Sequence, residues 1–241
     1  MALIKCPECS KEISSLASAC PACGCPSTVW MVKDEKKFLP IFAGTTFEFG
    51  RYPYEASGEL KPIKWKVWAL SPKQRLAILI SEYILDAKPF NDESAPVSWE
   101  DSSLCHWMNK VFFWGAFSAS EQKVMLNPFS VSDKSLRVFL PDRTDAYTIF
   151  QTDESRACKV TPYAKKNGVW ANSETGTGPW WLNQTFKEYA MVIDPDGVCE
   201  ERKYTAMDYA DIGVRPLIAL SYVPDEEELD ETYGCMGYVK L

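Results

Sequence analysis

Pro62-Ile63-Lys64-Trp65-Lys66-Val67-Trp68 alternates apolar and polar residues, and shortly after it Arg75-Leu76-Ala77-Ile78-Leu79-Ile80-Ser81 runs almost wholly apolar. Successive side chains of a strand point to opposite faces. The first stretch therefore reads as a half-buried strand with Ile63, Trp65 and Val67 on its inner face. The second is fit for a central strand covered on both sides. Upstream, Thr46-Phe47-Glu48-Phe49-Gly50-Arg51-Tyr52 also alternates, placing Phe47 with Phe49. Tyr52-Pro53 and Ser57-Gly58 supply the turn chemistry before the next strand. The centre of the chain is a sheet.

Two helices are predicted beyond it. Ser98 stands where it can cap a helix whose apolar positions, Leu104, Trp107, Met108, Val111 and Phe112, recur at helical spacing. Ser118-Ala119-Ser120-Glu121 is a capping box ahead of Val124 and Met125. Strand signals return at Val138-Phe139-Leu140 and, after a polar glycine-rich loop over 172–179, at Trp180-Trp181-Leu182. Alternation there sends one indole inward and the other outward. Asp194-Pro195-Asp196-Gly197, between Met191-Val192-Ile193 and Val198-Cys199-Glu200, is a hairpin signal. Gly213 to Leu220 reads as a final buried strand. Lys33 to Lys37 and Asp225 to Glu231 are charge runs, read as solvated segments.

The N-terminus carries a different pattern. Cys6-Pro7-Glu8-Cys9 and Cys20-Pro21-Ala22-Cys23 are two Cys-x-x-Cys pairs separated by ten residues. Each pair on a tight turn aims two sulfurs at one point. Together they make the closed tetrahedral thiolate cage of a structural Zn²⁺, with no position open for water. Two disulfides would need an oxidising compartment, and Met1-Ala2-Leu3-Ile4-Lys5 lacks the apolar stretch of an export signal. A redox-active pair is the other alternative, but two copies this close favour metal. Cys25 is a spare thiol beside Cys23. Without metal the segment has too few apolar residues to fold.

The chain of 241 residues has room for this segment and one further domain of ordinary size. Its boundaries read as 1–26, a linker over 27–44, a domain over 45–224 and an acidic segment over 225–241. The fold class is α+β: a small four-cysteine zinc unit, then a mixed, mostly antiparallel sheet with two helices. A net charge of −7 opposes a nucleic-acid role, and residues 1–40 hold five Lys against four acids. No apolar run is long enough to span a bilayer. Cys105, Cys158, Cys199 and Cys235 are scattered as buried free thiols are, and a reduced cytoplasm suits them. Nine tryptophans point to aromatic packing or a stacking surface.

Catalytic patterns are missing. His106 is the only histidine, and it lies in a predicted helix. There is no Gly-x-Ser-x-Gly, no His-Glu-x-x-His and no phosphate loop. Arg51 and Arg215 adjoin strand motifs and are read as structural, bonding carboxylates or strand-end carbonyls.

Three resemblances extend this reading. Cys6-Pro7-x-Cys9, Ile13, Ala17 and Cys20-Pro21-x-Cys23-Gly24 resemble the short N-terminal zinc ribbon of many bacterial proteins, which implies a docking or folding module. Phe49-Gly50-Arg51-Tyr52-Pro53, Ser81-Glu82-Tyr83-Ile84-Leu85-Asp86, Pro89-Phe90-Asn91, Trp107-Met108-Asn109, Trp180-Trp181-Leu182 and Gly213-Val214-Arg215-Pro216 occur in order. Over residues 45–222 they resemble an uncharacterised bacterial family of domains of unknown function. The Trp-Trp-Leu strand, the loops and the last strand are also similar to C-type-lectin-like or formylglycine-generating-enzyme-like folds. That likeness implies a loop face over 183–212, and Trp170, Trp180, Tyr189, Tyr204 and Tyr209 become the expected ligand-binding residues. Tyrosine-rich loops give large contact area at low entropic cost. The calcium-binding triplets of sugar-binding lectins are absent, as are the paired catalytic cysteines of the formylglycine enzymes. The expectation is a zinc-binding, non-catalytic recognition or adaptor protein for an unidentified protein or small molecule. The alternatives are an enzyme of the formylglycine-generating-like fold, or nucleic-acid binding through the ribbon.

Overall fold

Ile63, Trp65 and Val67 alternate with polar neighbours in sequence, and all three are buried. In a computed structural model they lie on a strand over Leu60–Ser71. The structure describes residues 3–5, 9–14, 19–24, 38–93, 95–129, 132–187, 189–203, 211–224 and 236–241. The chain forms two compact units, Met1–Phe38 and Leu39–Leu241.

In the first unit, strands β1 (Leu3–Lys5) and β2 (Glu12–Ser14) pair antiparallel. The division between units falls at the first residue of β3 (Phe38–Phe42), a strand inside the stretch read as a linker.

The second unit continues with β4 (Thr46–Pro53), β5 (Leu60–Ser71), β6 (Leu76–Ser81) and β7 (Asp86–Ala87). A helical stretch follows: α1 (Ser103–Trp107), a π-helical turn over Met108–Phe112, α2 (Phe113–Ala116) and α3 (Ala119–Val124). Next come β8 (Met125–Leu126), β9 (Val138–Phe139), α4 (Arg143–Ile149), α5 (Asp153–Arg156), β10 (Cys158–Lys159) and α6 (Pro162–Lys166). The last part holds β11 (Thr177–Gly178), β12 (Trp180–Phe186), β13 (Tyr189–Ile193), β14 (Cys199–Lys203), β15 (Gly213–Val214), β16 (Leu217–Ser221), β17 (Val223–Pro224) and β18 (Met236–Lys240).

The larger sheet runs β4-β5-β6-β16-β8, with β9 also on β16. All of its pairings are antiparallel. β6 is central, which explains its unbroken apolar run. The second sheet runs β14-β13-β12-β15-β7, and only β12 with β15 is parallel. A third, β17-β18-β3, places β18 inside what was read as an acidic C-terminal segment. The larger unit is thus α+β with mostly antiparallel sheets, and where two helices were expected the described residues hold six short ones and a π turn, since α4, α5 and α6 are too short to show a helical period.

Local rules explain most elements. Ser118 caps α3, with Glu121 completing the box. Glu121 does a second job: its Oε1 accepts the Gly50 N–H at 2.9 Å. Gly50 sits at a register shift in β4 with φ +71, and a Cβ there would meet the Phe117 ring at 2.6 Å. A helix cap and a strand bulge are therefore locked together.

Four expectations are corrected. The first helix begins at Ser103 with Ser102 as its cap, because Ser98 instead bonds Asp101 in a preceding turn. Val111 is 58 % exposed: the π turn widens the spacing and swings it off the apolar face. The stretch 213–220 is two strands, β15 and β16, parted at Arg215-Pro216 and paired into different sheets. Trp180 and Trp181 do point to opposite faces, but both are fully buried because both faces of β12 are covered over its first three residues. Trp181 joins the main core with Phe90, and Trp180 joins a second core with Ile84 and Leu182.

Candidate functional site

In the first unit, the sulfurs of Cys9, Cys20 and Cys23 lie within 4.8 Å of one another. Cys9 Sγ and Cys20 Sγ are 3.6 Å apart, close to the roughly 3.8 Å edge of a tetrahedron of thiolates at zinc–sulfur distance. The backbone is shaped to bring them there. Gly24 N–H bonds the Cys20 carbonyl at 2.8 Å, closing the turn around the second pair. Ser10 and Gly24, each directly after the second cysteine of its pair, have φ +59 and +74. Both turns thus leave the cysteine cluster through a left-handed residue, the same device used twice. Three soft donors this close can hold a metal ion. Cys6 lies outside the described residues.

In the second unit, Trp170 is 48 % exposed. It borders a cleft of about 290 Å³ with Pro179, Pro195, Arg202, Asp211 and Ile212. Its backbone N–H donates to the Asp211 carbonyl at 2.9 Å, which ties this stretch of chain to Asp211. Arg202 is held by Glu200, with Nε donating to Oε1 at 2.7 Å. An indole and two proline rings give apolar walls, and Arg202 and Asp211 are the polar residues among the lining.

The other expected ligand residues divide. Trp180 is 0 % exposed, and its indole N–H bonds the Arg156 carbonyl at 3.2 Å, so it is core and offers no surface to a ligand. Tyr189 is half-buried at the start of β13, opposite Lys203, and is not among the described residues lining the Trp170 cleft. Tyr204 and Tyr209 lie outside the described residues.

The arginines act as braces. Arg51 donates to the Leu60 carbonyl at 2.9 Å. Arg215 is buried and donates to the carbonyls of Ser81, at the end of β6, and Arg156. Its guanidinium stacks on Phe150 and Trp180, which replaces lost hydration with ring contacts. His106 is exposed. Burial pushes the Cys105 thiol up to about 12 and also raises Cys158 and Cys199, opposite to the shift that activates a nucleophile.

A second cleft was not foreseen. Tyr52, Tyr54 and Tyr83 wall a space of about 300 Å³. Tyr54 and Tyr83 meet edge to face at 5.7 Å. Tyr52 donates to Asp86 Oδ2 at 2.6 Å, and Asp86 Oδ1 accepts from Asn167 at 2.7 Å and Ala87 N–H at 2.8 Å. The one signal in sequence was the pair of tyrosine-bearing motifs, Tyr52-Pro53-Tyr54 and Glu82-Tyr83, at strand ends. Only the sheet register shows that they converge.

The chain matches no curated protein and no solved structure. A family described as a domain of unknown function (DUF6273) matches residues 74–222, a shorter span than 45–222 and one that leaves Phe49 to Pro53 outside. That span takes in β6 through the helical stretch to β16 and covers more than half of the chain, and the protein belongs to this family of domains of unknown function, DUF6273.

Proposed function

We propose that this protein is a zinc-binding, non-catalytic recognition or adaptor protein of the cytoplasm. Cys6, Cys9, Cys20 and Cys23 hold one structural Zn²⁺ in a ribbon, and the larger unit, C-type-lectin-like, takes a protein or small ligand at the cleft walled by Trp170. The observation that carries the reading is the convergence of three cysteine sulfurs within 4.8 Å. A fourth thiolate from Cys6 completes a closed cage, so the metal's contribution is to folding rather than chemistry. The exposed indole, the proline walls and the raised pKa of the buried thiols support recognition over catalysis.

Metal analysis of the purified chain tests the first half: about one Zn²⁺ per chain is expected, lost in Cys9→Ser or Cys20→Ser. A chain that neither carries zinc nor takes it up from solution overturns it. For the second half, Trp170→Ala is expected to abolish a captured partner's band at unchanged melting temperature. A band that survives the substitution overturns the assignment to that cleft.

A further inference from the structure

The tyrosine-walled cleft shares no described lining residue with the Trp170 cleft. Its floor is apolar: Ile63 and Leu85 are buried beneath it. Its walls are fixed before any ligand arrives. Tyr52 is tied to the buried Asp86 carboxylate and wedged against Phe112 and Tyr163. Tyr54 is set edge to face on Tyr83. A pre-organised aromatic slot loses little side-chain entropy on binding.

The rim carries both signs of charge. Lys61 is ion-paired with Glu55 and sits 5.2 Å above the Tyr54 ring, so it is already neutralised. Glu48 and Lys64 are the two that remain. They are direct register partners on β4 and β5, both exposed, both lining the cleft. Opposite charges facing across strands ordinarily close on one another. Among the described residues neither enters an ion pair. One carboxylate and one ammonium thus stand over an apolar slot that is electrically balanced. Such a site disfavours a simple anion or cation, each of which would face one repulsive neighbour. It fits a molecule bearing both charges.

We infer that this cleft binds a small zwitterion with an apolar body, of the aromatic α-amino-acid class, with the ligand carboxylate at Lys64, its ammonium at Glu48 and its ring on the apolar floor of Ile63 and Leu85 against the tyrosine walls. The volume of about 300 Å³ is at the small end of ligand sites, which suits a single amino acid rather than a nucleotide or peptide.

Calorimetric titration of the full, metal-loaded chain with three probes decides it. L-phenylalanine carries both charges, phenethylamine lacks the carboxylate, and 3-phenylpropionate lacks the ammonium. Phenylalanine is expected to bind at least about tenfold more tightly than either single-charge analogue. Lys64→Met should erase its advantage over phenethylamine, and Glu48→Gln its advantage over 3-phenylpropionate. Both substituted residues are exposed, so folding is kept. Trp170→Ala should leave all three affinities unchanged, which separates this site from the other cleft. Absence of phenylalanine binding at about 10 mM overturns the inference, as do three equal affinities, which would mean an apolar slot without charge recognition.

Discussion

Asn109 holds the backbone of Val138 at both ends: its Oδ1 accepts the Val138 N–H at 3.0 Å and its Nδ2 donates to the Val138 carbonyl at 2.9 Å. Oδ1 also takes the Arg137 N–H and Nδ2 also reaches the Cys105 carbonyl, so each carboxamide atom bonds two backbone groups. A side chain in the π turn thereby stands in for a neighbouring strand beside β9. Asn109→Ala strands three backbone groups, Arg137 N–H and both groups of Val138, since the Cys105 carbonyl still accepts the Met108 N–H, and a loss of about 2–4 kcal/mol is expected in urea unfolding. A loss below about 0.5 kcal/mol would show that water replaces the amide.

Gly197 and Gly58 separate two reasons for glycine. Both have positive φ, +90 and +87, but a Cβ on Gly197 would meet the Asp153 carbonyl oxygen at 1.8 Å, while one on Gly58 meets nothing within 4 Å. Gly58→Ala carries conformational strain alone and should cost about 1 kcal/mol. Gly197→Ala adds a backbone clash at the hairpin turn and should cost about 2–5 kcal/mol. Equal losses for the two would discount the contact with α5.

Alkaline pH should weaken the fold through groups buried in neutral form. Tyr52 is raised far above its ordinary value by burial first and then by the adjacent Asp86 carboxylate. Above about pH 10 the unfolded chain releases this proton and the folded chain keeps it. The unfolded state then binds fewer protons, and stability falls as pH rises, having been fully present below that pH. Cys105 adds the same sign between 9.0 and about 12, again chiefly from burial. Tyr52→Phe should flatten the alkaline limb by up to about 1.4 kcal/mol per pH unit in urea titrations, while lowering stability at neutral pH through the lost hydrogen bond. An unchanged slope would place the titration elsewhere.

Ser10 follows Cys9 as Gly24 follows Cys23, and only one of the two is glycine. For the zinc site proposed above, Ser10→Gly removes left-handed strain and should tighten the metal in chelator competition by about two- to fivefold, whereas Ser10→Val should weaken it by a larger factor. No change in either variant would mean that this turn does not shape the cage.

Sequence by itself determined what depends on near neighbours. The β4, β5 and β6 signals, the capping box at Ser118 and Glu121, the Asp194 to Gly197 hairpin and the spacing of the cysteines all rest on contacts within a few residues, whose physics is written in local order. The tertiary structure decided everything that needed distant segments to meet. Trp180 alternates as expected, yet whether its outer face is wet or covered depends on α4 and β10 packing over it. Glu121 reads as a cap, yet its second oxygen is spent on Gly50, 71 residues away. The tyrosine cleft exists because β4 and the segment after β6 are brought side by side. Periodicity reports which face a side chain takes; only the folded chain decides what lies against that face.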